Sequence, residues 1–207
     1  MILASASPRR LELLRACGIS VSVRPADVDE TRQEGESPTH LVRRLARSKA
    51  HAAREALEEG LYEPLVAADT IVWDDQGDVL GKPHDSEDAA RMLHALSGKT
   101  HHVSTGVCVL VPRTSSCLEA CFVETTDVTF CQLSDHEVAA YVASGEPMDK
   151  AGAYGIQGLG RLLVSEIRGD YPNVVGLPVN RTLRTIDELS GMAEDGLVVT
   201  TLGGNHA

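Results

Sequence analysis

The chain has 207 residues, enough for one domain with a sizeable core, and its 43% hydrophobic and 24% charged content is that of a globular protein. A net charge of −11 and only 3% aromatic residues argue against nucleic acid or an anionic membrane as partners, and against base-stacking platforms. With no run of about 18 apolar residues, no transmembrane helix is expected, and "MILASASPRR" lacks the basic and apolar regions of a signal peptide, so a cytoplasmic location is expected.

Residues 1–5 predict a short apolar strand. "SPRRLELLRACG" predicts a helix with Ser7 at the N-cap, Pro8 at the first position, Gly18 as the stop, and Leu11 and Leu14 on one face. "ISVSVRP" alternates like a strand, and a polar loop follows. "SPTHLVRRLARSKAHAAREALEEG" repeats the helix grammar: Ser37 caps, Pro38 begins, Gly60 ends, and Leu41, Leu45 and Ala52 line one side. A strand, "LVAADTIVW", leads through the "DDQGD" turn to "VLGKP" and then to a capped helix, "SEDAARMLHALSG". "KTHHVSTGVCVLVP" and "CLEACFVETTDVTFCQL" predict two long strands joined at "RTSS" as a hairpin. "SDHEVAAYVASGE" predicts a helix, "RLLVSEIRG" a strand, and "GLPVNRTLRTIDEL" a last helix. Alternating strands and helices with one long hairpin predict an α/β or mixed α+β sheet flanked by helices. A single domain over 1–207 is expected, with its core at about 1–189 and a loosely attached tail at 190–207.

Four features could carry chemistry. "LASASPRR" runs a strand into a helix start, where free N–H groups, the Ser5 and Ser7 hydroxyls and two arginines suit an anion; a capped surface helix with solvated arginines is the competing reading. Asp69-Thr70 interrupts an apolar run, and aspartate is depleted in strands. A carboxylate held there suits a general base or a metal ligand, against a plain strand-end cap. Lys49, Lys82 and Lys150 are single lysines of the kind usually solvated, with Lys82 fixed between Gly81 and Pro83. "DKAGAYGIQGLG" has glycines that let backbone approach a ligand, but it is neither G-x-G-x-x-G nor a P-loop. Its Gln157 offers an amide donor and acceptor, as a pyrimidine edge does. The five cysteines contain no C-x-x-C, so reduced thiols are expected rather than disulfides. A zinc site from Cys117, Cys121, His101 and His102 is disfavoured, because adjacent histidines of a strand point to opposite faces.

In order along residues 2 to 180, "LASASPRRLELL", "DVDE", "AADTIV", "GKP", "STGV", "SGEPMDKAGAYGIQGLG" and "GDYPNVVGLP" resemble the Maf family of nucleoside triphosphate pyrophosphatases. The resemblance implies an elongated mixed sheet of the Maf/ITPase-like kind, with two lobes around a cleft. It implies hydrolysis between the α- and β-phosphates, a Mg²⁺ or Mn²⁺ cofactor, a nucleoside triphosphate as partner, and dimers in many members. Within the family Asp69 corresponds to the proton acceptor, and Arg9, Thr70 and Gln157 to substrate choice. Ser7, Arg9, Lys49 and Lys82 are expected at the phosphates, and Asp69 and Glu30 at the metal. "EPMDKAGAYGIQG", from Glu146 through Gly158, matches the branch acting on UTP and dTTP in a house-cleaning role, and the resemblance extends the expected substrates to modified pyrimidine triphosphates. The alternatives are another base such as 7-methyl-GTP, or a nucleotide-binding regulator of septum formation.

Overall fold

A computed structural model describes residues 1–57, 62–114, 116–192 and 196–203. In chain order the described elements are β1 (Ile2–Leu3), α1 (Pro8–Ala16), β2 (Ser22–Val23), α2 (Pro38–Glu55), β3 (Leu65–Trp73), β4 (Val79–Leu80), α3 (Ser86–Leu96), β5 (Thr100–Pro112) and β6 (Cys117–Phe130). Then come α4 (Asp135–Ala143), three short 3-10 turns between Glu146 and Leu163, β7 (Val164–Arg168), α5 (Tyr171–Val175), α6 (Val179–Ser190) and α7 (Leu197–Gly203). The strands form one seven-stranded mixed sheet in the order β2-β1-β3-β5-β6-β7, with β4 paired to β3. β1 is parallel to both β2 and β3, whereas β3–β4 and β6–β7 are antiparallel. Fold class is therefore mixed α/β, as the alternation of elements predicts.

The chain divides into two compact units. The first comprises Met1–Asp69, Thr105–Val123 and Gly176–Ala207. Both faces of β1, β3 and β5 are covered there, and these strands are nearly continuous apolar runs. Leu3, Val66, Ala68, Val107 and Val109 pack with Leu14 of α1 and with Leu183 and Ile186 of α6. On the opposite face Ile2, Leu65, Ala67, Cys108 and Leu110 meet Ala46, Ala50 and Ala53 of α2. Alanine on α2 permits close approach, and Gly106 permits the closest: a Cβ there would lie 2.2 Å from the Val42 carbonyl oxygen. The Asp187 carboxylate of α6 accepts N–H groups of Leu197 and Val198 at the start of α7.

The second unit comprises Thr70–Ser104 and Glu124–Val175. Its core joins Ala89, Leu93 and Leu96 of α3 to Val103, Val128, Phe130, Tyr141 and Tyr154. His101 is wholly buried there, edge-on to Phe130 and Tyr154, with Nε2 2.8 Å from the Tyr154 hydroxyl. Burial, helped by the neighbouring His102, lowers its pKa to about 4. His102 points to the other face and hydrogen-bonds Asp127 and Asp75, as strand alternation requires. α5 is pinned by Asn173, whose buried amide donates to the Val103 carbonyl and to Thr126 Oγ1.

Several boundaries differ from the sequence expectation. α2 stops at Glu55; Gly60, the expected stop, lies outside the described residues. Ala52 is only partly buried, and Ala50 and Ala53 carry the contact instead. "ISVSVRP" pairs only through Ser22–Val23, and the expected strand at "RLLVSEIRG" begins at Val164, because Leu159–Leu163 wind as a 3-10 turn. α5 was not foreseen, since five residues carrying a proline have too little periodicity to show.

Candidate active site

Alternation decides where Asp69 points. Leu65 and Ala67 face α2, and Asp69, two further on, faces it too. α2 presents Lys49 at that level, between the Ala46 and Ala50 that let the helix lie close. Lys49 Nζ lies 2.6 Å from Asp69 Oδ1 and 2.5 Å from Glu30 Oε1. Asp69 is buried and Glu30 is exposed, so one ammonium ties a core carboxylate to one from the "DVDE" loop. Burial alone would lower the Lys49 pKa; the two carboxylates outweigh it, and the net shift is upward. Lys49 therefore stays protonated.

The "SASPRR" segment lies in the same unit. Ser7 occupies the N-cap of α1 with extended backbone and Pro8 begins the helix, but the Ser7 hydroxyl makes no capping bond. Its N–H instead donates to Ser5 Oγ at 3.2 Å. Arg9 and Arg10 start the helix, and sequence reasoning singled out only Arg9. Arg10 is anchored: its Nη1 donates to Ser5 Oγ at 2.9 Å and its Nε to the Gly176 carbonyl at 2.8 Å. Burial lowers its pKa, the Asp69 and Glu30 charges oppose that, and Arg9 adds to the lowering. The guanidinium is therefore within electrostatic reach of both carboxylates. The doubled arginine was the available signal, but nothing in it told that Arg10 would reach Ser5 and Gly176.

Thr70, Lys82 and Gln157 belong to the second unit. Thr70 follows Asp69 in β3 and so takes the opposite face. Lys82 is exposed in "GKP", and the Gly81 carbonyl before it accepts the Gly152 N–H at 3.0 Å. That bond ties the Lys82 turn to the glycine-rich segment. Gly152 has φ +71, and a Cβ there would come within 3.0 Å of Val72 of β3. Gln157 is exposed on the same segment, and its carbonyl accepts from the Arg161 guanidinium.

Glu146 was not singled out from the sequence, yet it holds this segment. Its carboxylate accepts the Tyr141 hydroxyl at 2.9 Å, the Leu159 N–H at 2.8 Å and the Gly160 N–H at 3.2 Å. Burial raises its pKa, and the two N–H groups and Tyr141 more than reverse that, for a net lowering. A Cβ at Gly158 would fall 2.2 Å from Glu146 Oε1, so any side chain there would displace the carboxylate. Lys150 is spent on the Glu146 carbonyl and the Asp149 carboxylate, at 2.8 and 2.6 Å.

The first unit thus brings together Lys49, Asp69 and Glu30, with Arg10 within electrostatic reach. The second brings the Lys82 turn to the segment that carries Gln157. Two carboxylates converging on one cation are equipped to share a hard metal ion or to take a proton from water, and the cationic side chains beside them to hold phosphate oxygens.

The family model described as Maf-like protein matches residues 1–189. A protein of Koribacter versatilis named dTTP/UTP pyrophosphatase is 50% identical over 184 residues, 89% of this chain and 91% of that one. A protein of Syntrophomonas wolfei with the same name is 51% identical over 180 residues, 86% and 92% of the two chains. One of a Geobacillus strain, again so named, is 46% identical over 189 residues, 91% and 97%. A solved structure titled as the Staphylococcus aureus Ham1 protein overlaps 62% of this chain and 70% of its own, at 13% identity and a TM-score of 0.39, too distant to bear on function.

Proposed function

The chain belongs to the Maf family, and we propose that it is a nucleotide pyrophosphatase that hydrolyses dTTP and UTP between the α- and β-phosphates. The observation that carries the reading is the buried Asp69 carboxylate held beside Glu30 by Lys49. The names of its relatives support the substrate, as does "EPMDKAGAYGIQG" at Glu146 through Gly158.

In this reading Asp69 accepts the proton of the water that attacks the α-phosphorus. The bond from that phosphorus to the bridging oxygen breaks, and pyrophosphate leaves with the bridging oxygen. Ser7, Arg9, Lys49 and Lys82 hold the phosphates. Arg9, Thr70 and Gln157 discriminate the nucleotide. The Glu30 and Asp69 oxygens meet one Nζ at 2.5 and 2.6 Å, so the pair fits a hard divalent cation such as Mg²⁺ or Mn²⁺. Bound there, such a cation supplies charge neutralisation of the phosphates. Lys49 keeps the two carboxylates in place before substrate arrives.

No described helix is long and apolar enough to cross a membrane. The proposal puts the enzyme in the cytoplasm, acting on free nucleotides, as a homodimer. Pyrophosphate release from a panel of nucleoside triphosphates, with Mg²⁺ or Mn²⁺, tests it. Selective release from dTTP and UTP is expected. Release from 7-methyl-GTP alone would overturn the substrate, and binding without release would overturn the activity.

A further inference from the structure

Beyond the Asp69 centre, the first unit carries a second group of ligating side chains. Cys108 of β5 and Cys121 of β6 each lie five residues from Arg113 and Ser116, whose N–H···O=C bond closes the hairpin turn at 2.8 Å. The two cysteines are therefore directly opposed, and their sulfurs approach to 2.7 Å. Glu119, on the same face of β6, brings Oε1 to 3.5 Å from Cys121 Sγ. These three ligand atoms lie within 4.8 Å of one another. From α2, His51 Nε2 lies 2.9 Å from the other Glu119 oxygen and Arg47 Nε 2.6 Å from Oε1. The zinc set weighed from sequence was a different one: Cys117 is exposed and hydrogen-bonds the Leu118 carbonyl, and His101 and His102 lie in the second unit.

We propose that Cys108, Cys121 and Glu119 form a zinc-class metal site, with His51 orienting the carboxylate, that staples the β5–β6 hairpin to α2. Two sulfurs and a carboxylate oxygen are a donor set that zinc takes and magnesium does not. The charges fit: two thiolates and one carboxylate against Zn²⁺ leave one negative charge, which Arg47 neutralises. Sulfurs sharing a tetrahedral zinc stand about 3.7 Å apart, given Zn–S of about 2.3 Å, so one must turn outward by about 1 Å. Cys121 is free to do so, being only partly buried where Cys108 is wholly buried.

The test uses the full chain, reduced, with excess Mg²⁺ present to occupy the hard-oxygen centre. Zn²⁺ is titrated against a chromophoric chelator, and Co²⁺ is used to look for a thiolate-to-metal charge-transfer band. One equivalent of Zn²⁺, the band and a raised Tm are expected. Cys121→Ser should abolish the band. Glu119→Gln should weaken Zn²⁺ binding as well, and its side chain lies outside the core, so it keeps the test independent of folding. His51→Ala should weaken binding by about 10–100-fold. Zn²⁺ binding unchanged in Cys121→Ser and Glu119→Gln would overturn the site. So would a chain isolated two hydrogens lighter and blind to Zn²⁺, which would make the pair a disulfide.

Discussion

Asp69 in the first unit is a buried carboxylate and Glu146 in the second a half-buried one, and they are held in opposite ways. Asp69 is held by charge, through the ammonium of a long and flexible lysine. Glu146 is held by two backbone N–H groups and a tyrosine hydroxyl. An ammonium can let go when a metal ion or a phosphate competes for it. Backbone N–H groups at fixed positions cannot follow a ligand. The first arrangement suits a group that must change partners during a reaction, the second a group that must keep a loop in shape. By that difference the proposed chemistry falls to Asp69, and Glu146 is suited to shaping the segment that carries Gln157.

The comparison breaks most readily at Asp69. Asp69→Asn is expected to lower turnover by at least ~10²-fold, the worth of a positioned base, while nucleotide still binds. Near-normal turnover would remove Asp69 from the chemistry. The next effect in size tests the frame behind the glycine-rich segment. His101 is buried neutral beside Tyr154, with a folded-state pKa of about 4 against about 6.5 unfolded. Its contribution to stability is complete above about pH 6.5 and fades as pH falls toward 4, by roughly 3 kcal/mol. Urea unfolding from pH 7 down to pH 4.5 should show that loss, and His101→Gln should flatten it. A profile identical in the variant would assign the acid sensitivity elsewhere.

Glu146→Gln is expected to shift base preference more than turnover. It places an amide NH₂ where three donors converge, at about 1–3 kcal/mol, so the dTTP-over-GTP ratio should fall by roughly 10-fold. An equal loss on every nucleotide would make Glu146 merely structural. Gln157→Ala should erode the same ratio by a smaller factor, since one hydrogen bond is worth about 1 kcal/mol. Unchanged relative rates on UTP, dTTP and GTP would remove Gln157 from base reading.

Much of this was legible before any coordinates. Ser37-Pro38 and Ser134 start their helices where the capping grammar says, and Ser134 closes a full capping box with Glu137. The hairpin of β5 and β6 was plain from two long β-branched runs around a polar turn. Helix ends were less legible: α2 stops at Glu55, with no glycine to mark it. Ser7 shows a different limit, because a cap residue in the cap position need not use its hydroxyl to cap. Glu146 was invisible as a keystone, since its donors come from residues 5 to 14 positions away in a segment without periodicity.

Sequence alone determined that Asp69 would share a face with Leu65 and Ala67, because side chains alternate along a strand whatever surrounds it. It likewise determined that a helix would run from Pro38 with Lys49 upon it. Only the tertiary structure decided that Lys49 meets Asp69 and Glu30 together. That meeting depends on how α2 is rotated and how closely it lies, which Gly106, Ala46 and Ala50 set by what they omit. Local rules act over a few residues, and contact across 20 residues is settled by packing.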